Sequence, residues 1–154
     1  MASRQTQEAR QTVLEKVDEL ADVLLETSHA IHDHPELGYE EHFAHDLLTD
    51  LLARSGLDVT TGAYGIETAF EARAGIEGPI LAVLCEYDAL PGIGHACGHN
   101  IIAAAGAGAG LAAAVVAEEL EGRLRILGTP AEEGGGGKVR MINQGAFDDV
   151  DAAI

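Results

Sequence analysis

The stretch from Ile101 to Ala117 contains no charged residue and consists of alanine, glycine and aliphatic side chains. A helix that is apolar on all sides must be buried, either in a membrane or in a protein core. This stretch is short for a membrane span, and alanine and glycine transfer only weakly into lipid. It therefore predicts a helix, from about Asn100 to Leu120, in the interior of a folded domain.

Two apolar runs typical of buried strands flank this helix, from Pro79 to Tyr87 and from Arg123 to Gly128. A strand that is apolar on both faces belongs to a sheet covered on both sides. The other predicted elements are helices at about 6–32, 40–54 and 138–144, short strands at 57–61 and 68–73, and a strand beginning at Asp151. This order predicts an α/β fold in layers, with a central, mostly parallel or mixed sheet flanked by helices.

Composition limits the partners and the compartment. The chain has 26 acidic and 9 basic residues and a formal net charge of −17, so phosphate-rich nucleic acids and anionic membranes are poor partners. With only two lysines, it resembles proteins of a salt-rich cytoplasm, although an ordinary acidic cytosolic protein has the same balance. Two cysteines are too few for a disulfide framework, and the N-terminus is polar where a signal peptide would have an apolar segment. The expected location is the cytoplasm.

Cys97 and His99 form the first candidate metal-binding pair. They lie in a His-Ala-Cys-Gly-His segment between the Pro79–Tyr87 strand and the apolar helix. A thiolate and an imidazole separated by a flexible glycine suit zinc or a similar divalent ion. We expect the helix N-terminus to favour the thiolate of Cys97. A buried cysteine beside solvated histidines is the competing interpretation.

Two further groups of carboxylates follow predicted strands. Glu132 and Glu133 come after the strand that ends at Gly128, and adjacent side chains on an extended backbone point to opposite sides. One carboxylate could then bind a metal while the other faces water as a general base, unless this is simply an acidic turn. Glu86 and Asp88 are spaced to share one face after the other strand, where a carboxylate can orient a metal ligand or bind a second ion.

Four segments resemble one family of dinuclear metallopeptidases, which includes aminoacylase, hippurate hydrolase, indole-acetyl-amino-acid hydrolase and p-aminobenzoyl-glutamate hydrolase. They occur in the family's order from about residue 10 onward: His32 to Glu41, Glu86 to Pro91, His95 to His99, and Pro130 to Gly137. The resemblance implies a zinc-peptidase-like catalytic domain. It also implies an enzyme that cleaves an amide or peptide bond of a dipeptide, an N-acyl amino acid or an aminobenzoyl-glutamate-like substrate.

The resemblance also implies roles for individual residues. Cys97, His99 and Glu133 match metal ligands, Glu132 matches the general base, and Asp88 matches a carboxylate that supports the metal centre. A complete site would hold two divalent ions, either zinc, manganese or cobalt, and full-length relatives are expected to be homodimers. The segment from His32 to Glu41 has no catalytic role assigned to it.

Two departures from the family pattern bear on these expectations. Many relatives have aspartate where this chain has Asn100, which indicates the dipeptidase-like and p-aminobenzoyl-glutamate hydrolase-like branch. Residues 1–154 match only the N-terminal half of the catalytic domain, without the remaining metal-binding histidines or the lid and dimerisation domain. The alternatives are therefore a truncated non-catalytic remnant, a metal-binding or interaction module on the same scaffold, and a hydrolase that uses Cys97 as nucleophile and His99 as base.

Overall fold

The computed structural model describes residues 4–154; residues 1–3, part of the polar N-terminus, lie outside the described region. All the predicted helices and strands are present. They are α1 (Arg4–Asp33), α2 (His42–Arg54), β1 (Asp58–Thr61), β2 (Phe70–Ala74), β3 (Ile80–Cys85), α3 (His99–Ala117), β4 (Arg123–Gly128), α4 (Gly137–Asn143) and β5 (Ala152–Ala153). A single 3₁₀ turn at Ala63–Gly65 was not expected.

Helix boundaries differ slightly from the sequence expectation. The sequence predicts Gly56 as the C-cap of α2, but Ser55 is the C-cap, and Gly56 after it has φ of 91°, in the left-handed conformation that often ends a helix. Helix α3 ends at Ala117 rather than Leu120. A turn closes it, in which Gly122 N–H donates to Ala117 O at 2.9 Å and Glu121 adopts φ of 51°.

The five strands form one mixed sheet in the order β1-β2-β4-β3-β5. Strands β3 and β4 run parallel at its centre, with β5 parallel to β3, whereas β1 and β2 are antiparallel to their neighbours. The predicted fold class is confirmed. Because β3 and β4 are parallel and in register from Ile80↔Arg123 to Cys85↔Gly128, both end at the same edge of the sheet.

Helices cover one face of the sheet, and α4 with its following loop covers the other. Val83 and Ile126 pack toward α1, α2 and α3. Their neighbours in the strands, Ala82 before Val83 and Leu127 after Ile126, pack with Met141 of α4. This alternation places apolar side chains on both faces of the central strands. It explains why their sequences are apolar almost throughout.

Helix α3 owes its glycines to close packing. A Cβ atom on Gly106 would clash with the carbonyl oxygen of Leu84, and one on Gly110 would clash with Cδ1 of Ile126. The helix therefore rests directly on β3 and β4, while Gly108 faces Leu24 of α1. By length and composition α3 could span a membrane, but more than half of it is buried among these elements, as predicted.

A network of ion pairs fixes the segment after α4 to the sheet. Arg125 of β4 is buried and binds both carboxylate oxygens of Asp149, at 2.9 and 3.0 Å. The same guanidinium lies 3.0 Å from Glu71 of β2, which also accepts a short hydrogen bond from Tyr64. The arginine thus joins two strands and the 146–149 turn, whose Ala146 carbonyl it also binds at 3.0 Å.

Candidate metal centre

The candidate residues lie on two loops that leave the same edge of the sheet. One loop follows Cys85 at the end of β3, and the other follows Gly128 at the end of β4. Thr129 joins them, because both its backbone N–H and its hydroxyl donate to Cys85 O, at 2.8 and 3.1 Å. This edge, formed by the carboxyl ends of parallel strands, is where α/β folds place their sites.

His99, the first residue of α3, is the buried centre of the site. Its Nδ1 lies 2.9 Å from Asp88 O and 3.1 Å from Asp88 Oδ1. A carbonyl oxygen can only accept a hydrogen bond, so Nδ1 carries a proton, and Nε2 is the nitrogen left to bind a metal. That nitrogen faces the loops at a distance of 3.4 Å from Glu86, 3.7 Å from Glu132 and 3.8 Å from Glu133.

Asp88 links the two loops. It is only 1% exposed, its Oδ1 orients His99, and its Oδ2 accepts the backbone N–H of Glu133 at 3.0 Å. A carboxylate that holds the far nitrogen of a ligand-type histidine fixes the ring and raises its basicity. Asp88 therefore occupies the orienting position expected of it.

Cys97 lies beside His99, with its Sγ 3.9 Å from Asp88 O. The ligand atoms of Cys97, His99 and Glu133 all lie within 4.8 Å of one another. Burial raises the pKa of the Cys97 thiol, and the neighbouring Glu133 raises it further, although the His99 backbone N–H opposes them. The start of α3 does favour the thiolate, as expected, through the His99 N–H, but desolvation and the nearby carboxylate outweigh this effect.

The predicted arrangement of Glu132 and Glu133 was also wrong. Residues 132–135 form a turn rather than an extended segment, and Ala131 before them has φ of 56°. Both carboxylates consequently approach Nε2 of His99 instead of pointing to opposite sides. Each side chain remains open to water, with 38% of Glu132 and 30% of Glu133 exposed.

A second group of ligand-type atoms shares the histidine. Glu86, His99 and Glu132 place one atom each within 4.8 Å of one another. Glu86 was grouped with Asp88 from its spacing but was not assigned as a ligand. Lys138 of α4, whose Nζ lies 2.5 Å from Glu86 Oε1, was missed altogether. The only feature of the sequence that points to Lys138 is that lysine is rare in this acidic chain, which has two.

The side chains present fit a divalent metal. Thiol, imidazole and carboxylate groups converge from two loops, and soft or borderline ligands of this kind suit zinc and similar ions. Glu86, Glu132 and Glu133 all lie within 4 Å of Nε2 of His99, and in the described part of the chain only Glu86 pairs with a lysine, Lys138. A cation bound between these side chains would offset the repulsion between their negative charges.

Comparisons with known proteins identify the family that this chain resembles. The profile of the peptidase family M20/M25/M40 matches residues 82–154, which include both loops. The chain is 46% identical to the Xaa-Arg dipeptidase of Homo sapiens, over 91% of this chain and 36% of that protein. It is 38% identical to one of the p-aminobenzoyl-glutamate hydrolase subunits of Escherichia coli, over 80% of this chain and 30% of that protein.

Solved structures share the fold. A dinuclear metal-binding peptidase of the M20 family from Bacillus subtilis superposes with a TM-score of 0.80 at 24% identity, covering 88% of this chain and 42% of that one. The chain spans about a third of the length of the curated relatives it matches. Motifs, identity and fold agree, and the chain belongs to the M20/M25/M40 peptidase family.

Proposed function

We propose that this chain carries metal-binding and proton-transfer groups of an amidohydrolase that cleaves an amide or peptide bond of a small substrate. The observation that carries the proposal is the convergence of Cys97, His99 and Glu133 within 4.8 Å of one another, with His99 oriented by Asp88. These side chains come from two loops at the carboxyl edge of the parallel strands β3 and β4, and Glu132 and Glu133 are open to water, so a small molecule can reach the site.

Cys97, His99 and Glu133 are the proposed ligands of one divalent ion, either zinc, manganese or cobalt. Glu86 and Glu132 lie near the same nitrogen of His99. Because one imidazole lone pair binds one ion, a second ion in a complete site would need ligands besides this histidine. The Bacillus subtilis relative is described as dinuclear. When bound, such ions supply Lewis acidity toward the substrate carbonyl and make a water molecule easier to deprotonate.

Glu132 is the proposed general base. Its carboxylate lies 3.7 Å from His99 Nε2 and is 38% exposed, so it can reach both the centre of the site and a water molecule. It would take a proton from the attacking water as the water oxygen bonds to the amide carbon. It would then return that proton to the amine nitrogen as the C–N bond breaks. Asp88 holds the histidine and the backbone of Glu133 in place during these steps.

The proposed substrates are a dipeptide, an N-acyl amino acid or an aminobenzoyl-glutamate-like amide. The relatives support this range through the names they carry, which include a dipeptidase, a p-aminobenzoyl-glutamate hydrolase and an N-acetyl-L-cysteine deacetylase. A net charge of −17 supports a small-molecule partner over nucleic acid or an anionic membrane. The expected homodimer, cytoplasmic location and assignment to the N-terminal half of a catalytic domain stay predictions.

The alternative expected from the sequence, a metal-binding module without turnover, would use the same Cys97, His99 and Glu133 ligands. The geometry does not favour a Cys97 thiol hydrolase. Nδ1 of His99 is bonded to Asp88, its Nε2 faces three carboxylates, and the Cys97 thiol donates to Asp88 O at 3.9 Å rather than to the histidine.

The experiment that tests the proposal is the metal content of the purified chain after dialysis against zinc, manganese or cobalt. We expect bound metal in the wild type and its loss in the Cys97→Ala/Glu133→Ala double variant. The control Glu77→Ala, which removes an exposed carboxylate away from the site, should bind like the wild type. A folded wild-type chain without metal would overturn the proposal. Metal binding without hydrolysis of any of the three substrate classes would favour the non-catalytic module.

A further inference from the structure

The segment from Glu36 to Glu41, to which the sequence assigned no catalytic role, contacts both loops of the site. At one end, Glu36 O accepts the N–H of Ala89, the residue after Asp88, at 2.7 Å. The Glu36 carboxylate accepts the N–H groups of Phe43 and Ala44, at 2.9 and 3.1 Å, and so ties the segment to the first turn of α2. The backbone of this segment is thus anchored between a helix and the Asp88 loop.

At the other end, the carboxylate of Glu41 holds the loop that carries Glu132 and Glu133. Glu41 has no exposed surface, and its Oε1 accepts the N–H of Ala131 at 2.8 Å. Its Oε2 accepts the hydroxyl of Thr68 at 2.9 Å. Glu41 is the N-cap residue of α2 but makes no side-chain capping bond to that helix. Its carboxylate therefore points away from its own helix and toward the loop.

Ala131 needs such a restraint because its backbone conformation is unusual. Its φ of 56° is in the left-handed region, which costs an L-residue about 1 kcal/mol or more. This residue sets the direction in which Glu132 leaves the strand. The Ala131 carbonyl also accepts the N–H groups of Gly135 and Gly137, both at 3.2 Å, so the turn is built around it.

A close backbone contact and a further hydrogen bond also join the 36–41 segment to the Ala131 turn. A Cβ on Gly38 would lie 2.8 Å from Ala131 Cβ, so only glycine allows this approach. The hydroxyl of Tyr39 donates to Gly135 O at 2.6 Å. The guanidinium of Arg140 lies 4.9 Å from the centre of the Tyr39 ring. The turn that carries the two glutamates is therefore held along its length.

We propose that Glu41 is a positioning residue of the site, which, together with the Gly38 contact, fixes the Ala131 turn so that Glu132 and Glu133 converge on His99. The metal-binding side of this inference rests on the proposed function. Burial raises the pKa of Glu41, so an acidic side chain at this position has an energetic cost. An apolar residue would fill the space without that cost, but it could not accept the Ala131 N–H.

The test compares four variants of the full chain. Glu41→Leu removes the acceptor for Ala131 at similar volume, whereas Glu41→Gln keeps one. Gly38→Ala presses a methyl group against Ala131 without altering any buried charge. Thr68→Val is the matched control, because it removes the other partner of Glu41 and leaves the Ala131 bond in place. Two quantities are measured in each: the exchange rates of individual amide hydrogens and the affinity for Co²⁺.

We expect Glu41→Leu and Gly38→Ala to weaken Co²⁺ binding by about 10- to 100-fold, the range for groups that orient ligands. Glu41→Gln and Thr68→Val should stay close to the wild type. Combining Glu41→Leu with Glu133→Ala should add little to Glu133→Ala alone, because both act on the same ligand. Fully additive losses, or unchanged affinity in Glu41→Leu and Gly38→Ala, would overturn the proposal.

Amide exchange tests the positioning role without metal. In Glu41→Leu, exchange at Ala131 and Glu133 should speed up by about tenfold or more, while exchange at Ile126 in β4 stays slow. If the wild-type chain binds no Co²⁺, the proposed function fails and exchange alone decides the role of Glu41. Unchanged exchange at Ala131 and Glu133 would then overturn it. If Glu41→Leu does not fold, Gly38→Ala gives the same comparison.

Discussion

Glu132 and Glu133 are neighbours in the chain and lie almost equally far from Nε2 of His99, yet the proposed mechanism gives them different tasks. The backbone N–H of Glu133 is bound by Asp88, and its carboxylate belongs to the group with Cys97. Glu132 has the more exposed side chain of the two. At the scale of single residues, the proposed mechanism therefore depends on the different surroundings of two side chains that have the same chemistry.

Amide substitution of each glutamate separates these tasks. Glu132→Gln keeps the shape of the side chain but cannot take a proton, so we expect metal to stay bound while hydrolysis falls by at least about 100-fold. Glu133→Gln replaces a charged ligand with a neutral one and should weaken metal binding. Metal affinity and turnover are measured for both in the metal-loaded protein. Loss of metal in Glu132→Gln with retention in Glu133→Gln would reverse the assignment.

The loop residues also mark how far the sequence could predict the site. Cys97, His99 and Asp88 could be chosen from residue type and spacing, because each follows a strand whose apolar pattern was clear. The direction of Glu132 could not, since it depends on the left-handed Ala131. The cause of that conformation includes Glu41, which lies 90 positions away in the chain and carries no local signal of its partner.

Among the elements, α3 was predicted correctly because its composition leaves few alternatives, but the separate roles of its glycines follow only from its neighbours. Gly106 faces the backbone of β3, where the Leu84 carbonyl cannot move without breaking the sheet. Gly108 faces the end of the Leu24 side chain, which can change rotamer. One sequence pattern thus contains glycines that are required and glycines that are not.

We expect Gly106→Ala to lower the free energy of unfolding by about 1–2 kcal/mol, because overpacking against a backbone oxygen outweighs the gain in helix propensity. Gly108→Ala should be close to neutral, since the same gain offsets a small movement of Leu24. Urea unfolding of both variants beside the wild type measures the difference. Equal destabilisation would show that the sheet contact does not limit how close α3 lies.

The ion pairs of Arg125 make a second prediction at this scale. Its hydrogen bonds lower the pKa of Asp149 below the ordinary value of 3.8. A carboxylate with a lowered folded-state pKa stabilises the fold above its unfolded pKa, and this contribution is lost as pH falls through the folded value. Asp149→Asn should therefore be less stable than the wild type at pH near 7. The difference should shrink as the pH falls below 3.8 and through the lowered folded-state pKa of Asp149.

The measurement is urea unfolding of wild type and Asp149→Asn at pH near 7 and at a series of pH values below 3.8. Asp148→Asn is the control, because this neighbouring carboxylate is exposed and lies outside the Arg125 ion pairs. A difference between wild type and Asp149→Asn that persists in acid would mean that the ion pair is not its source. Glu71 still pairs with Arg125 in the variant, so the arginine is not left unpaired.

At the scale of the whole molecule, charge is the dominant feature. The 26 acidic residues far outnumber the 9 basic ones. Each basic residue in an ion pair neutralises one carboxylate, as Arg4 and Lys16 do, or contacts two, as Arg125 does. Most of the negative charge is therefore unbalanced, and the candidate metal centre adds four carboxylates in one place. Folding brings these charges together, so repulsion between them opposes the compact state.

Salt should weaken this repulsion, because the screening length falls from about 30 Å at 0.01 M to about 3 Å at 1 M ionic strength. We expect the melting temperature of the chain, measured with chelator to remove divalent ions, to rise steadily as KCl increases over this range. A parallel series in choline chloride at equal ionic strength separates general charge screening from binding of K⁺ to the acidic surface. An equal rise in both salts indicates screening alone, whereas a larger rise in KCl indicates cation binding to the acidic surface. A melting temperature that is flat or falls with KCl would show that the excess of acidic residues is not a source of instability, and it would remove the argument for a salt-rich cytoplasm.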